Sequence, residues 1–163
     1  MKTASVMIAS FFLVQTVTAQ LTKSASCPVF TVDILYGKLN DGLNPQSTLG
    51  EVQKYFPCFT GLQEQADGGK CIGIFYKDKD IYFYTERDYI EIGPNFKGKL
   101  SVPLMGASRK SLFKTLGNPI MKDVSWDAFH LRYGTLVLHY SKAGKVNKMQ
   151  ISNKSTETLK LCN

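Results

Sequence analysis

The chain has 163 residues, with 20 lysines and arginines against 13 aspartates and glutamates, a formal net charge of +7. This length suits one compact domain with an adequate core. The basic residues are scattered in runs of no more than two, and no nucleic-acid-reading motif accompanies them, so the charge points instead to an acidic protein partner or another anionic surface.

The first residues read as a targeting segment. Lys2 supplies a positive start, residues 6–14 form an apolar run, and Val17-Thr18-Ala19 is a small-residue cleavage site before Gln20. The run is far shorter than the roughly 20 residues of a spanning helix. Residues 1–19 are therefore predicted to be a signal peptide, and removing 19 of 163 residues leaves a single mature domain of 144, residues 20–163, secreted or periplasmic. Ser24-Ala25-Ser26-Cys27 resembles a lipobox faintly, but Ser24 stands where an aliphatic residue belongs, so a lipid anchor at Cys27 is disfavoured.

Residues 29–36 alternate and are rich in β-branched and aromatic types, predicting a strand. Thr48 and Glu51 have capping-box spacing before Val52, Tyr55 and Phe56, and Pro57 ends that short helix. Three close strands are predicted at 71–77, 80–85 and 89–92, followed by a link and a short strand at 99–104. Ser108 is predicted to cap a second helix carrying Leu112, Phe113 and Leu116, closed by Gly117 and Pro119. Strands at 128–133, 135–141 and 145–152 follow.

The chain also repeats itself. Gly37-Lys38-Leu39 is followed by Leu43, Thr48, Val52, Lys54 and Phe56. Gly98-Lys99-Leu100 is followed by Leu104, Ser108, Leu112, Lys114 and Leu116 at spacings equal to within one residue. Two repeats, 37–93 and 98–152, are expected, each a short helix followed by three antiparallel strands. The predicted fold class is α+β: one antiparallel sheet with both helices packed on one face.

Four cysteines, Cys27, Cys58, Cys71 and Cys162, imply two disulfides in an exported domain. Three pairings are open. Cys58–Cys71 with Cys27–Cys162 is favoured, because the first closes a short loop around Gly68-Gly69 worth about 3 kcal/mol and the second ties the chain ends. No paired C-x-x-C supports a zinc site, and no metal or other cofactor is expected.

The second repeat resembles a known family. Gly106-Ala107-Ser108, Leu112, Leu116-Gly117, Pro119, Met121, Asp123 and Trp126, with the closing hairpin Leu136 to Tyr140, Gly144, Val146 and Ile151, is similar to the SmpA/OmlA (BamE-like) domain. Two such units in tandem resemble the β-lactamase inhibitor protein (BLIP) architecture. The placing of Cys58 and Cys71 is similar to a disulfide in that family's first repeat. The second repeat lacks such a cysteine pair, and Tyr55-Phe56-Pro57 departs from the family's helix end. The resemblance implies protein binding: inhibition, immunity or envelope assembly.

Period two in Ile81-Tyr82-Phe83-Tyr84 sets Ile81 and Phe83 toward the helices, and Tyr82 and Tyr84 toward the helix-free face. Phe75, Lys77, His130, Arg132 and His139 are expected on that face too. Tyrosine and arginine anchor many protein interfaces, so this face is the candidate partner-binding surface of a non-enzymatic module. The rival is a small secreted hydrolase or nuclease using His130 and His139 as an acid–base pair. No further catalytic signature supports it, and no catalytic residue is assigned.

Overall fold

The structure, a computed structural model, describes residues 26–64 and 71–162. The signal segment and Gly68-Gly69 lie outside the described residues.

The elements, in chain order, are β1 (Thr31–Asp33), β2 (Lys38–Leu39), α1 (Leu49–Tyr55), β3 (Gly61–Gln63), β4 (Gly73–Tyr76), β5 (Ile81–Tyr84), β6 (Tyr89–Ile92), β7 (Lys99–Leu100), a 3-10 turn (Arg109–Ser111), α2 (Phe113–Leu116), β8 (Met121–Lys122), β9 (Trp126–Leu131), β10 (Gly134–Tyr140) and β11 (Val146–Ser152). Eight strands form one antiparallel sheet in the order β3-β4-β5-β6-β11-β10-β9-β8. Two consecutive four-stranded meanders therefore meet at the β6–β11 pair, where Met149 lies opposite Ile92 and Ile151 opposite Ile90. A second, small sheet has the order β2-β1-β7.

This architecture corrects the α+β expectation of two helix-plus-three-strand units. The protein is mostly β. Each meander has four strands rather than three; the short edge strands β3 and β8 carry too few residues for alternation to reveal them in the sequence. The helical layer is slight: α1 has seven residues and α2 four. Thr48 and Glu51 do form the expected capping box, with Thr48 N–H donating to Glu51 Oε2 at 2.8 Å. Ser108 makes no such cap. The Ser111 hydroxyl instead donates back to the Ser108 carbonyl at 2.7 Å, and the Arg109 N–H is drawn to the Gly144 carbonyl. The turn is thus tied to its neighbours rather than extended as a helix.

The layer over the sheet is completed by the small sheet. The Lys-Leu pairs of the two repeated Gly-Lys-Leu segments are its edge strands: β2 pairs antiparallel with β1, and β7 parallel with it. Phe30 and Val32 from this region join Val52 and Phe56 of the α1 region against Ile74, Tyr76, Ile81 and Phe83 of the large sheet. Phe30 and Phe56 stack at 4.0 Å between centroids, and the Tyr76 hydroxyl donates to the Phe56 carbonyl at 2.6 Å. All these side chains are buried, which is the main source of stability here.

The disulfides also differ from expectation. Cys27 pairs with Cys58, and Cys71 with Cys162. Cys27–Cys58 fastens the entry of β1 beside the end of α1. Cys71–Cys162 fastens the C-terminal tail beside the start of β4. Short-loop closure alone does not choose between pairings when two distant termini meet at one sheet. No helix among the described residues is long and apolar enough to cross a membrane. Two disulfides suit an extracellular or periplasmic location.

Candidate functional site

The large sheet has two unlike faces. Partners directly opposite in the register share a face. One row runs Leu62, Ile74, Phe83, Ile90, Ile151, Leu136, Phe129 and, apart from the half-buried Leu62 at its edge, is buried in the core with residues of the small sheet and α1. The next row runs Phe75, Tyr82, Glu91, Gln150, Val137, Ala128 and belongs to the opposite, helix-free face.

The helix-free face is bare only in part. The C-terminal tail crosses it. The Thr135 hydroxyl donates to the Lys154 carbonyl at 2.8 Å, the Cys162 N–H donates to the Tyr89 hydroxyl at 3.0 Å, and Lys154 Nζ lies 2.9 Å from Asp88. Leu159 and Leu161 enclose a crevice of about 260 Å³ with Trp126, Val137 and His139. The tail buries Tyr89 and Thr135, and the Cys71–Cys162 bridge holds its end down.

Among the described residues, what remains open is the β4–β5–β6 margin. Phe75, Tyr82 and Tyr84 sit there half-buried, with ring centroids 6.1 Å apart for Phe75–Tyr82 and 5.6 Å for Phe75–Tyr84. Tyr84 stacks on Tyr89 at 4.6 Å, and burial pushes its hydroxyl up to about 12. The Tyr82 hydroxyl donates to Asp80 at 3.1 Å, and burial, then the Asp80 carboxylate, raises its pKa. Lys77 is exposed in the turn after β4. Beside these rings a polar rail crosses three strands. His139 Nε2 lies 2.8 Å from Gln150 Oε1, Gln150 Nε2 donates to Glu91 at 2.7 Å, and Lys148 Nζ stands 3.5 Å from the same carboxylate. Burial lowers the His139 pKa, opposed by the Gln150 bond.

The seven residues singled out from the sequence therefore separate. Phe75, Lys77, Tyr82 and Tyr84 come together on the open margin, and His139 joins through the rail. His130 and Arg132 stand exposed at the opposite corner, at the end of β9 and in its turn. His130 pairs with Thr135, four residues along β10 from His139, a separation of about 13 Å at strand rise. An acid–base pair working on one bond has no geometric support there. Nor do the described residues bring together three or more metal-ligating side chains.

Sequence reasoning missed several participants. Glu91 lies in the strand expected at 89–92, but nothing in the sequence set it opposite both Tyr82 and Gln150. Gln150 sits between Met149 and Ile151, so its alternation already marked it as facing away from the core. Arg109 and Asp127 form a paired guanidinium–carboxylate contact, with the Tyr140 hydroxyl donating to Asp127 at 2.7 Å. Asp127 is 1% exposed, and this charge pair has no pattern in the sequence to announce it.

No family model, curated protein or solved structure matches this chain. The functional reading therefore rests on the surface itself.

Proposed function

We propose that this protein is an exported, non-enzymatic binding module that grips a protein partner with the open margin of its helix-free sheet face. The observation that carries this reading is the cluster of Phe75, Tyr82 and Tyr84, three half-buried aromatic rings on neighbouring strands with no helix of the described residues above them. Rings held in place by their neighbours lose little freedom on binding, so they make good anchors. The Glu91–Gln150–His139 rail supplies fixed polar groups at the rim. The bound tail limits the surface to one end of the sheet. The partner is an enzyme being inhibited, a toxin being neutralised or an envelope assembly component.

The test is a side-by-side capture from the native secreted or envelope fraction, using the mature chain and a Tyr82→Ala, Tyr84→Ala variant with a matching circular dichroism spectrum. A partner held by the native chain should be lost from the variant. Identical protein profiles from both baits would refute the surface.

A further inference from the structure

The formal charge is unevenly distributed along the chain. Residues 94–149 hold ten lysines and arginines and only two carboxylates, Asp123 and Asp127. Of these two, the buried Asp127 is neutralised by Arg109. Among the described residues, only Arg109 and Lys148 of these ten lie within ion-pair distance of a carboxylate, and part of the rest gather around the β8 edge of the sheet. Lys110 and Lys122 line one shallow groove with Phe113 and Gly144. Lys122 Nζ stands 5.3 Å from the centre of the Phe113 ring.

The same edge exposes apolar side chains. Phe113 is 38% exposed, Ile120 52% and Val124 92%. Val124 is at the tip of the β8–β9 hairpin, closed by the Asp123 N–H donating to the Trp126 carbonyl. Arg109 binds the carbonyls of Asp123 and Val124 from beneath, so the tip is fixed beside the lysine groove. Ile120 alternates with Met121, which places it on the same side of the edge as Lys122.

We propose that this β8 edge is a membrane-surface site that seats on anionic lipid, with Phe113, Ile120 and Val124 entering the headgroup–acyl boundary and Lys110 and Lys122 lying at the phosphates. Two features on the surface favour lipid over an acidic protein. The protruding groups are largely aliphatic and flanked by lysines, with one carboxylate, Asp123, turned onto the Ser125 N–H and hydroxyl, as in interfacial anchors. The cations are lysines on exposed positions, suited to a diffuse negative surface rather than to paired carboxylates in fixed geometry. The site lies six strand spacings from β4, about 29 Å along the sheet. A protein resting on lipid by this edge keeps the aromatic margin free.

Vesicle co-sedimentation of the mature chain tests the proposal. Vesicles of phosphatidylcholine and phosphatidylglycerol in equal parts should pull the protein down, and phosphatidylcholine alone should not. Raising the salt should weaken the binding steeply. Lys110→Glu with Lys122→Glu should reduce it at least about tenfold, since each lysine near such a surface contributes about 1 kcal/mol. Val124→Ser should reduce it severalfold without changing the thermal melt, because that side chain touches almost nothing in the fold. Lys38→Glu with Lys54→Glu, an equal charge change in the first half of the chain, should leave most of the binding. No sedimentation with anionic vesicles overturns the proposal, as does equal loss from the control pair. Binding of soluble polyglutamate in place of vesicles, abolished by the Lys110 and Lys122 reversals, would also overturn it and make the edge an acidic-protein site.

Discussion

Replacing Cys58 and Cys71 together by serine separates the observed disulfide pairing from the short-loop alternative. In the structure these two cysteines belong to different bridges, so Cys58→Ser with Cys71→Ser breaks both. The bridges span sequence separations of 31 and 91 residues, for which loop-closure entropy gives about 3.7 and about 4.6 kcal/mol. The two loops do not overlap, so the losses add to about 8 kcal/mol. Domains of this kind are stable by about 5–15 kcal/mol in total, so the variant should be largely unfolded or close to it without denaturant. Cys27→Ser with Cys58→Ser breaks one bridge and should lose only about 3.7 kcal/mol. Urea unfolding followed by the single tryptophan, Trp126, measures the stability. Thiol labelling counts the outcome directly: the Cys58, Cys71 variant should carry two reactive thiols, Cys27 and Cys162. A variant with no free thiol and a loss of only about 3 kcal/mol would refute the pairing, and with it the anchoring of the tail across the sheet.

Other perturbations address particular contacts. Gly37 has φ +62°, and a Cβ there would stand 2.6 Å from the Tyr133 ring; Gly37→Ala should cost about 2 kcal/mol or more in urea unfolding, and a neutral result would mean the turn sits elsewhere. Asp127→Asn leaves Arg109 and the Tyr140 hydroxyl without their carboxylate and should cost about 2 kcal/mol, with much less lost when Arg109 is already replaced. His139 has its pKa lowered from 6.5 by burial. The unfolded chain then binds the extra proton first, so stability should be full above pH 6.5 and fall as pH drops below it. His139→Gln should flatten that slope, which a pH series of urea midpoints will reveal.

The sequence disclosed local chemistry better than assembly. Thr48 and Glu51 announced their capping box because a cap depends on residues three apart. The alternation of Ile81-Tyr82-Phe83-Tyr84 placed the rings on the correct face for the same reason. The second helix forms at Phe113–Leu116 and ends at Gly117 as expected, but its Ser108 cap does not form: the Ser108 carbonyl is taken by Ser111, and its neighbour Arg109 is held by Gly144 and Asp127, contacts supplied by β9 and the β10–β11 turn. β3 and β8 were illegible because two or three residues show no period. The tail over Tyr89 and Thr135 escaped notice for a different reason. Residues 153–162 have no strong pattern of their own, and only the Cys71–Cys162 bridge and a few hydrogen bonds to distant strands fix their path. Grouping His130 and Arg132 with the tyrosines relied on face alone. Face is set by parity, but position along a strand is set by register, and register puts them at the far corner.

Photo-crosslinking with a benzophenone amino acid is the most direct measure of where a partner sits. Placed at Tyr82, on the open margin, the probe should give a covalent adduct with the captured protein. Placed at His130, beyond the tail, it should give none. Adducts from position 130 with none from position 82 would put the interface at the other end of the sheet and contradict the proposed surface.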